Sequence, residues 1–370
     1  MKKKVVTIIG ARPQFIKAST VSFELSKSPY LDEITIHTGQ HFDKNMSKVF
    51  FDEMNLPKPK YHFKSGGLSQ GHMTGNLLTK IEDALKNERP DLVLVYGDTN
   101  STLAGSLAAS KLNIPIAHIE SGLRSYKLSI PEEVNRVTVD HLSSILFCPN
   151  DNSVDLLKQE NIQKKESPIG VPIIKNVGDV MLDAILYFKK FTENAPIRQN
   201  QKIKSIMEKK YYLCTIHRPN NTDDKKTLKK IISSLENIAK EHPIILPLHP
   251  RTKKQLTIFN IKPKHITIIP PVGYLDMIEL MSKSNGIFTD SGGLQKEAYF
   301  LQKPCAILLD HTPWTELVKN KFSIIVNTDE SLIQKAHTHF FQTKPNFNIE
   351  LYGNGSASKK ITQILEKVMR

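Results

Sequence analysis

Three carboxylates stand at turning points in the first half of this chain. Asp98 follows DLVLVYG, Glu120 ends IPIAHIE, and Glu132 lies at the start of PEEVNRVTVDHLS. A lone carboxylate in such a place is more often a helix cap or half of an ion pair. Three converging on one face suit proton transfer, in which one group takes a proton and another returns it. His217, after YYLCTI in the second half, adds a further titratable group. Ser291-Gly292-Gly293, after GIFTD, has the form of an anion cradle. Two glycines at a helix start let backbone N–H groups approach an anion, and the helix N-terminus favours negative charge. A plain helix cap is the alternative for SGG alone. Glu297, one turn on, is placed to grip the two hydroxyls of a ribose, so the set points to a nucleotide diphosphate in the second half.

The cations agree with a phosphorylated ligand. The 370 residues carry 51 Lys and Arg against 37 Asp and Glu, a net charge of +14. That balance suits nucleic acid, an anionic membrane surface or a phosphorylated small molecule. Lysine is spread along the chain without a long basic tail, which argues against the first two. Only eight of the 51 are arginine, so arginine positions are informative. Arg12, Arg124, Arg136, Arg218 and Arg251 fall in loop-like stretches after strands. Arg grips phosphate with a planar fork that Lys cannot copy; surface or structural salt bridges are the alternative.

Several classes are excluded. GxGxxG and GxxxxGK[ST] are missing, and the first strand runs into GARPQF, so a nicotinamide-dependent dehydrogenase is not expected. His37, His41, His118 and His249 stand near strand ends without HxH or HExxH spacing, so no metal is expected. Cys148, Cys214 and Cys305 are far apart and odd in number, which fits a reducing cytoplasm rather than a disulfide framework. No apolar run approaches the roughly 20 residues of a membrane helix. The apolar run in MKKKVVTIIGARPQF is too short for a signal peptide and reads as a first strand.

The elements that must hold these residues read strand, loop, helix, repeated. KVVTIIG, EITIHTG, DLVLVYG, IPIAHIE and SILFCP are strands, with GARPQ as a loop and FIKASTVSFELSK, DKNMSKVFFDEM, TLAGSLAASKL and PEEVNRVTVDHLS as helices. Single helices between strands imply a parallel, doubly wound sheet. PIGVPIIKN, with a Gly and two Pro, marks a crossover. The pattern then restarts with YYLCTIH, the amphipathic KKTLKKIISSLENIAKE, PIILPLHP, HITIIP, GIFTD and PCAILLD. The expected architecture is α/β: two Rossmann-like domains facing each other across a cleft, spanning 1–172 and 173–355. The last stretch, 356–370, reads as an amphipathic helix.

In this order, GARPQFIKA, TGQH, YGDTNST, HIESGLRS, IPEEVNR, HR and TDSGGLQKEA resemble the non-hydrolysing UDP-N-acetylglucosamine 2-epimerases over nearly the whole chain. The resemblance implies a two-Rossmann, GT-B-like fold, with the last helix, 356–370, returning to the first domain. It implies interconversion of UDP-GlcNAc and UDP-ManNAc by loss and re-addition of UDP through a 2-acetamidoglucal, for a surface polysaccharide precursor. Carried over residue by residue, it makes Asp98, Glu120, Glu132 and His217 catalytic. Arg12, Lys17, Gln40, His41, Arg124, Arg136, Arg251, Ser291, Gly292, Gly293 and Glu297 become substrate-binding candidates. No cofactor is needed. The expected partner is the UDP-sugar, not nucleic acid or membrane, and the expected state is a cytoplasmic homodimer. Glu133 is expected to face the structure. A UDP-sugar glycosyltransferase usually needs one base, and a non-catalytic sensor should lack several of the four catalytic groups.

This chain departs from the family in places. HRPNN replaces HRREN-like stretches that help form a second, activating UDP-sugar site in several members. Asp223 and Asp224, with no new arginine expected beside them, should repel a second diphosphate. Met277 stands where relatives often place an aromatic near the uracil. GARPQF and DHTPWTE look more like the branch acting on UDP-2,3-diacetamido-2,3-dideoxyglucuronate, whose carboxylate would need an extra cation such as Arg251 or Lys17.

Overall fold

A strand without polar alternation must be covered on both faces. LVLVY, Leu92–Tyr96, meets this requirement with all five residues buried. In the computed structural model, which describes residues 2–40, 56–343 and 345–370, this strand is central to a seven-stranded sheet. That sheet contains β1 (Lys3–Ile9), β2 (Leu31–His37), β3 (Tyr61–His62), β4 (Leu92–Tyr96), β5 (Ile116–Ile119), β6 (Ile145–Cys148) and β7 (Ile173–Asn176). Its order is β3-β2-β1-β4-β5-β6-β7, and every pairing in it is parallel. The six-stranded second sheet has the order β10-β9-β8-β11-β12-β13. Its strands are β8 (Tyr212–Thr215), β9 (Ile244–Pro247), β10 (Thr267–Ile269), β11 (Gly286–Thr289), β12 (Cys305–Ile307) and β13 (Ser323–Ile325).

These orders decide where a site can form. The chain spreads from β1 toward β2 on one side and from β4 toward β5 on the other. Loops leaving β1 and β4 therefore diverge and open a crevice at the carboxyl ends of those strands. The second sheet repeats this between β8 and β11. Asp98 follows β4 and Arg12 follows β1; His217 follows β8 and Ser291 follows β11.

The chain divides into one unit of Met1–Ala184 with Leu351–Arg370, and a second of Ile185–Glu350. Strand β7 pairs with β6, so the first unit continues past the expected boundary at 172. The segment expected at 43–54 as a helix lies outside the described residues. GARPQ is not a loop throughout: the helix Arg12–Ser26 already begins at Arg12, with Pro13 in its first turn. The sequence reading named no helix between 56 and 90, yet Gln70–Glu88 is one. It buries Met73, Leu77, Ile81, Ala84 and Leu85 at helical spacing. In the second unit, Leu228, Ile231, Ile232, Leu235 and Ile238 of helix Lys225–Ala239 form its buried stripe. They share a core with Tyr212, Cys214, Ile244, Leu246 and Phe288. All three cysteines are free and buried. Among the described residues, no helix is long and apolar enough to cross a membrane.

The last helix, Ala357–Met369, packs on Arg12–Ser26 within the first unit. Its N-cap residue, Ser356, makes no side-chain capping bond. Asp183, from a different helix, fills the role. Its carboxylate accepts the Ala357 N–H at 3.1 Å and the Ser358 N–H at 2.7 Å. Ser358 Oγ also meets Thr20 Oγ1 at 2.9 Å. Asp183→Ala should therefore cost about 1–2 kcal/mol. A thermal melt should show a Tm lower by about 2–4 °C; an unchanged Tm would remove Asp183 as the cap.

Candidate active site

In the first unit, Gln14 ties the two diverging loops together. Its Oε1 accepts the N–H of Gly10 at 2.8 Å and of Ala11 at 3.0 Å. Its Nε2 reaches Tyr96 O at 2.8 Å, Thr99 Oγ1 at 3.0 Å and Thr102 Oγ1 at 2.9 Å. Only glycine fits at position 10, since a Cβ there would lie 1.8 Å from Thr38 Oγ1. Gln40 joins the same frame through its Oε1, which accepts from Ser101 N at 3.0 Å and Ser101 Oγ at 2.7 Å. His41 lies outside the described residues. Arg12 occupies the first position of its helix, half-buried.

Asp98 is held from the side of helix Pro131–Leu142. Arg136 Nη2 donates to Asp98 Oδ2 at 2.5 Å, and Arg136 Nη1 donates to Glu133 Oε2 at 2.6 Å. Asn135 Nδ2 donates to the Asp98 carbonyl at 2.9 Å. The Asp98 side chain remains 32% exposed, enough to meet a ligand. Glu133 is buried and accepts the N–H groups of Ser125 and Tyr126 at 2.8 and 2.7 Å. Burial pushes its carboxyl up, but those N–H groups and Arg136 bring it below the ordinary value. Glu132, one residue earlier, is exposed on the other side of the helix and is outside this frame.

Glu120 pairs with Lys17, and each side chain is only 10% exposed. The backbone of Glu120 is left-handed, with φ of 69°. That conformation is uncommon for a residue other than Gly, Asn or Asp. Beside it, His118 is fully buried between Asp140 Oδ1 at 2.7 Å and the Gly97 carbonyl at 2.8 Å. Both ring nitrogens are therefore engaged by the protein. Burial raises the Asp140 carboxyl, yet His118 and Arg124 hold it low.

Arg124 requires a correction. Its side chain is 1% exposed. Nε and Nη2 clasp Glu160 at 2.6 and 2.7 Å, while Nη1 meets Asp140 at 2.6 Å and Leu123 O at 2.7 Å. Those carboxylates fill its fork, so Arg124 belongs to the frame rather than to a ligand. Arg136 pairs with Asp98 and Glu133 and is 13% exposed.

In the second unit the centre is Asp290, which is fully buried. Its carboxylate accepts the N–H of His217 at 2.9 Å, the N–H of Arg218 at 2.9 Å and Asn221 Nδ2 at 3.1 Å. It also faces His217 Nδ1 at 3.0 Å. With Nδ1 turned to Asp290, Nε2 is the atom His217 offers outward. Arg218 Nη2 lies 3.9 Å from where a Gly292 Cβ would stand, so its guanidinium covers the helix start. Ser291 caps that helix, Gly292–Phe300, and Trp314 Nε1 holds the Gly292 carbonyl at 2.9 Å. Gly293 follows in the same turn, exposed, and Glu297 is buried one turn on.

The expected charge repulsion at Asp223 and Asp224 is also corrected. Arg251 Nη2 pairs with Asp223 Oδ2 at 2.5 Å, and its Nε lies 3.1 Å from Oδ1. Asp224 caps helix Lys225–Ala239 by accepting the Thr227 N–H at 2.7 Å. Asp223 thus has an arginine beside it that the sequence reading did not expect, while Asp224 keeps its charge as a helix cap. Among the described residues, Glu241, His242 and His337 bring three potential ligand atoms within 4.8 Å of one another. This trio lies at the amino end of β9, not with the groups above.

Sequence reasoning missed Gln14, Asp140 and Asp290. Asp290 had a signal, because it ends GIFTD as Asp98 follows DLVLVYG. Asp140 had none, since it lies in the last turn of its helix and its partners lie up to 22 residues away in sequence.

The model of the UDP-N-acetylglucosamine 2-epimerase family matches residues 23–366. A Pseudomonas aeruginosa UDP-2,3-diacetamido-2,3-dideoxy-D-glucuronate 2-epimerase is 46% identical, over 99% of this chain and 100% of its own. A Methanocaldococcus jannaschii UDP-N-acetylglucosamine 2-epimerase is 40% identical over 98% of both chains. The crystal structure of the Methanocaldococcus jannaschii UDP-GlcNAc 2-epimerase in complex with UDP-GlcNAc and UDP aligns with a TM-score of 0.85. It is 39% identical, over 99% of this chain and 100% of that one.

Asp290 has a measurable pH signature. Burial raises its carboxyl, but His217 and the N–H groups of Arg218 and His217 outweigh burial and hold it low. Its contribution to stability is complete above the ordinary carboxylate value, about 3.9, and is lost as pH falls through the lower folded-state value. Urea midpoints should therefore fall more steeply below about pH 4 in the wild type than in Asp290→Asn. Equal slopes would show that the ionised Asp290 adds no net stability.

Proposed function

The chain belongs to the UDP-N-acetylglucosamine 2-epimerase family, and we propose that it inverts C2 of a UDP-2-acetamido sugar without hydrolysing it. The match to 2-epimerases over 99% of the chain carries this reading. The site chemistry supports it. The C2 hydrogen of such a sugar has no adjacent carbonyl, so direct deprotonation is very unfavourable. Departure of UDP from C1 leaves an oxocarbenium-like centre that acidifies C2–H. A base then takes that proton to give a 2-acetamidoglucal. UDP re-adds at C1 while a proton arrives on the opposite face of C2.

This sequence needs two proton-transfer groups and a cradle for departing UDP. Asp98, Glu120 and Glu132 supply the first requirement. Arg136 and Lys17 hold Asp98 and Glu120 in place. The helix start at Ser291-Gly292-Gly293, with Arg218 over it and His217 Nε2 turned outward, suits the diphosphate. Arg12 adds a cation, and Glu297 serves the ribose. No step requires a redox cofactor or a metal, so turnover should persist in EDTA; loss restored by Mg²⁺ would contradict this.

The sugar we assign is N-acetylglucosamine, interconverted with N-acetylmannosamine. The second reading, UDP-2,3-diacetamido-2,3-dideoxyglucuronate, is favoured by the 46% identity to an enzyme of that name. The extra cation it needs, Arg251 or Lys17, would have to be shared with Asp223 or Glu120, with which each is paired. Incubating the protein with each UDP-sugar in deuterated water tests both readings. Deuterium at C2 without free sugar identifies the reaction and its substrate; release of free sugar would refute the non-hydrolysing assignment. Asp98→Asn, Glu120→Gln and Glu132→Gln should each lower kcat by about 10²–10⁴-fold with a smaller effect on KM. Near-wild-type turnover in Glu132→Gln would remove that residue from the mechanism.

A further inference from the structure

We propose that Asp140, which touches neither substrate nor reacting atoms, is a positioning residue for Glu120. The role rests on the epimerase reading above. Glu120 has a φ of 69°. For an L-residue with a side chain this costs roughly 1–2 kcal/mol and persists only where the surroundings enforce it. The surroundings here converge on one buried carboxylate. Asp140 Oδ1 holds the His118 ring at 2.7 Å, two residues before Glu120. Oδ2 accepts the Gly122 N–H at 3.0 Å, two residues after it. Oδ2 also meets Arg124 Nη1 at 2.6 Å. Glu120 is thus flanked on both sides by residues tied to the same side chain.

The remaining contacts close off relaxation. The N–H groups of Glu120 and Ser121 share the Phe147 carbonyl at 3.1 and 3.2 Å. Gly122 has φ of 80°, and a Cβ there would lie 2.4 Å from Ser153 O. The His118 ring carries the constraint further, since its Nε2 reaches the carbonyl of Gly97, the residue before Asp98. Through His118, Asp140 therefore links the backbone on either side of Glu120 to the turn that presents Asp98, beside the Gly97 N–H bond to the Ile119 carbonyl at 2.9 Å.

Asp140→Asn keeps the shape of the side chain but cannot accept on both ends. One of its oxygens becomes an NH2 group, which cannot accept from His118 Nδ1 at one end or from the Gly122 N–H and Arg124 at the other as the carboxylate does. The left-handed turn then loses a clamp, and Glu120 can relax away from its set position. A misplacement on the scale of 1 Å costs about 10²-fold in turnover. We therefore expect Asp140→Asn to lower kcat by about that factor with KM little changed.

A generally destabilising variant would also lose activity, so the decisive measurement is a cycle. Wild type, Asp140→Asn, Glu120→Gln and the double variant are compared by deuterium incorporation at C2, with melts to confirm folding. If Asp140 acts through Glu120, Asp140→Asn should cost less than about 3-fold in the Glu120→Gln background. A further loss near 10²-fold there, or full activity of Asp140→Asn alone, overturns the proposal. Should Asp140→Asn not fold, His118→Asn takes its place in the cycle with the same expected coupling. The wild type separates the two levels: if it turns over no UDP-2-acetamido sugar, the epimerase reading fails, whereas an active wild type with additive losses refutes only the role of Asp140.

Discussion

A carboxylate sealed from water is stable as an anion only when the protein supplies the donors that water would have given. Each unit has such a group: Asp290 follows β11 at the switch point of its sheet, and Asp140 lies against His118 of β5. Asp140 and Asp290 are both fully buried. Each collects a backbone N–H and a histidine Nδ1, His118 in the first case and His217 in the second. The consequences differ because the histidines differ. His118 is fully buried with both ring nitrogens engaged, so it serves structure. His217 is about one-third exposed, so the same clamp leaves one nitrogen for chemistry. One physical device thus builds a fixed wall in one unit and a working group in the other.

The arginines follow the same economy. Lysine supplies most of the positive charge, and the fork of arginine is reserved for places where two acceptors must be met at once. Arg124 clasps Asp140 and Glu160, Arg136 links Glu133 to Asp98, and Arg251 grips Asp223. Three of the five arginines singled out by position thus serve carboxylates of the protein itself. Arg218, placed over the glycine-rich helix start, best fits the original expectation of a phosphate ligand.

That outcome shows what was readable from sequence and what was not. Strand ends are visible as apolar runs that stop, and ligands gather at strand carboxyl ends, so Asp98, Glu120, His217 and Ser291 could be found without coordinates. Whether a charged side chain faces a ligand or a partner depends on residues far along the chain. Arg124 is paired with Glu160, 36 residues away, which no local pattern reveals. The alternation of buried Glu133 with exposed Glu132 was readable in part, because neighbours on a helix point in different directions. The helix at Arg12 was harder to see. Pro13 looks like a breaker, yet it suits a first turn where its missing N–H costs nothing.

The return of helix Ala357–Met369 to the first unit means that the second unit is, topologically, an insertion within the first. During synthesis all of Ile185–Glu350 leaves the ribosome before the segment that completes the first unit. The helix bearing Asp183 is made early, but the N–H groups it caps are among the last to emerge. The inserted unit can thus acquire its core while the surrounding one waits with the surface for the final helix uncovered. Cutting the chain between Ala184 and Ile185 would not release two self-sufficient pieces, because one piece would carry away the closing helix of the other.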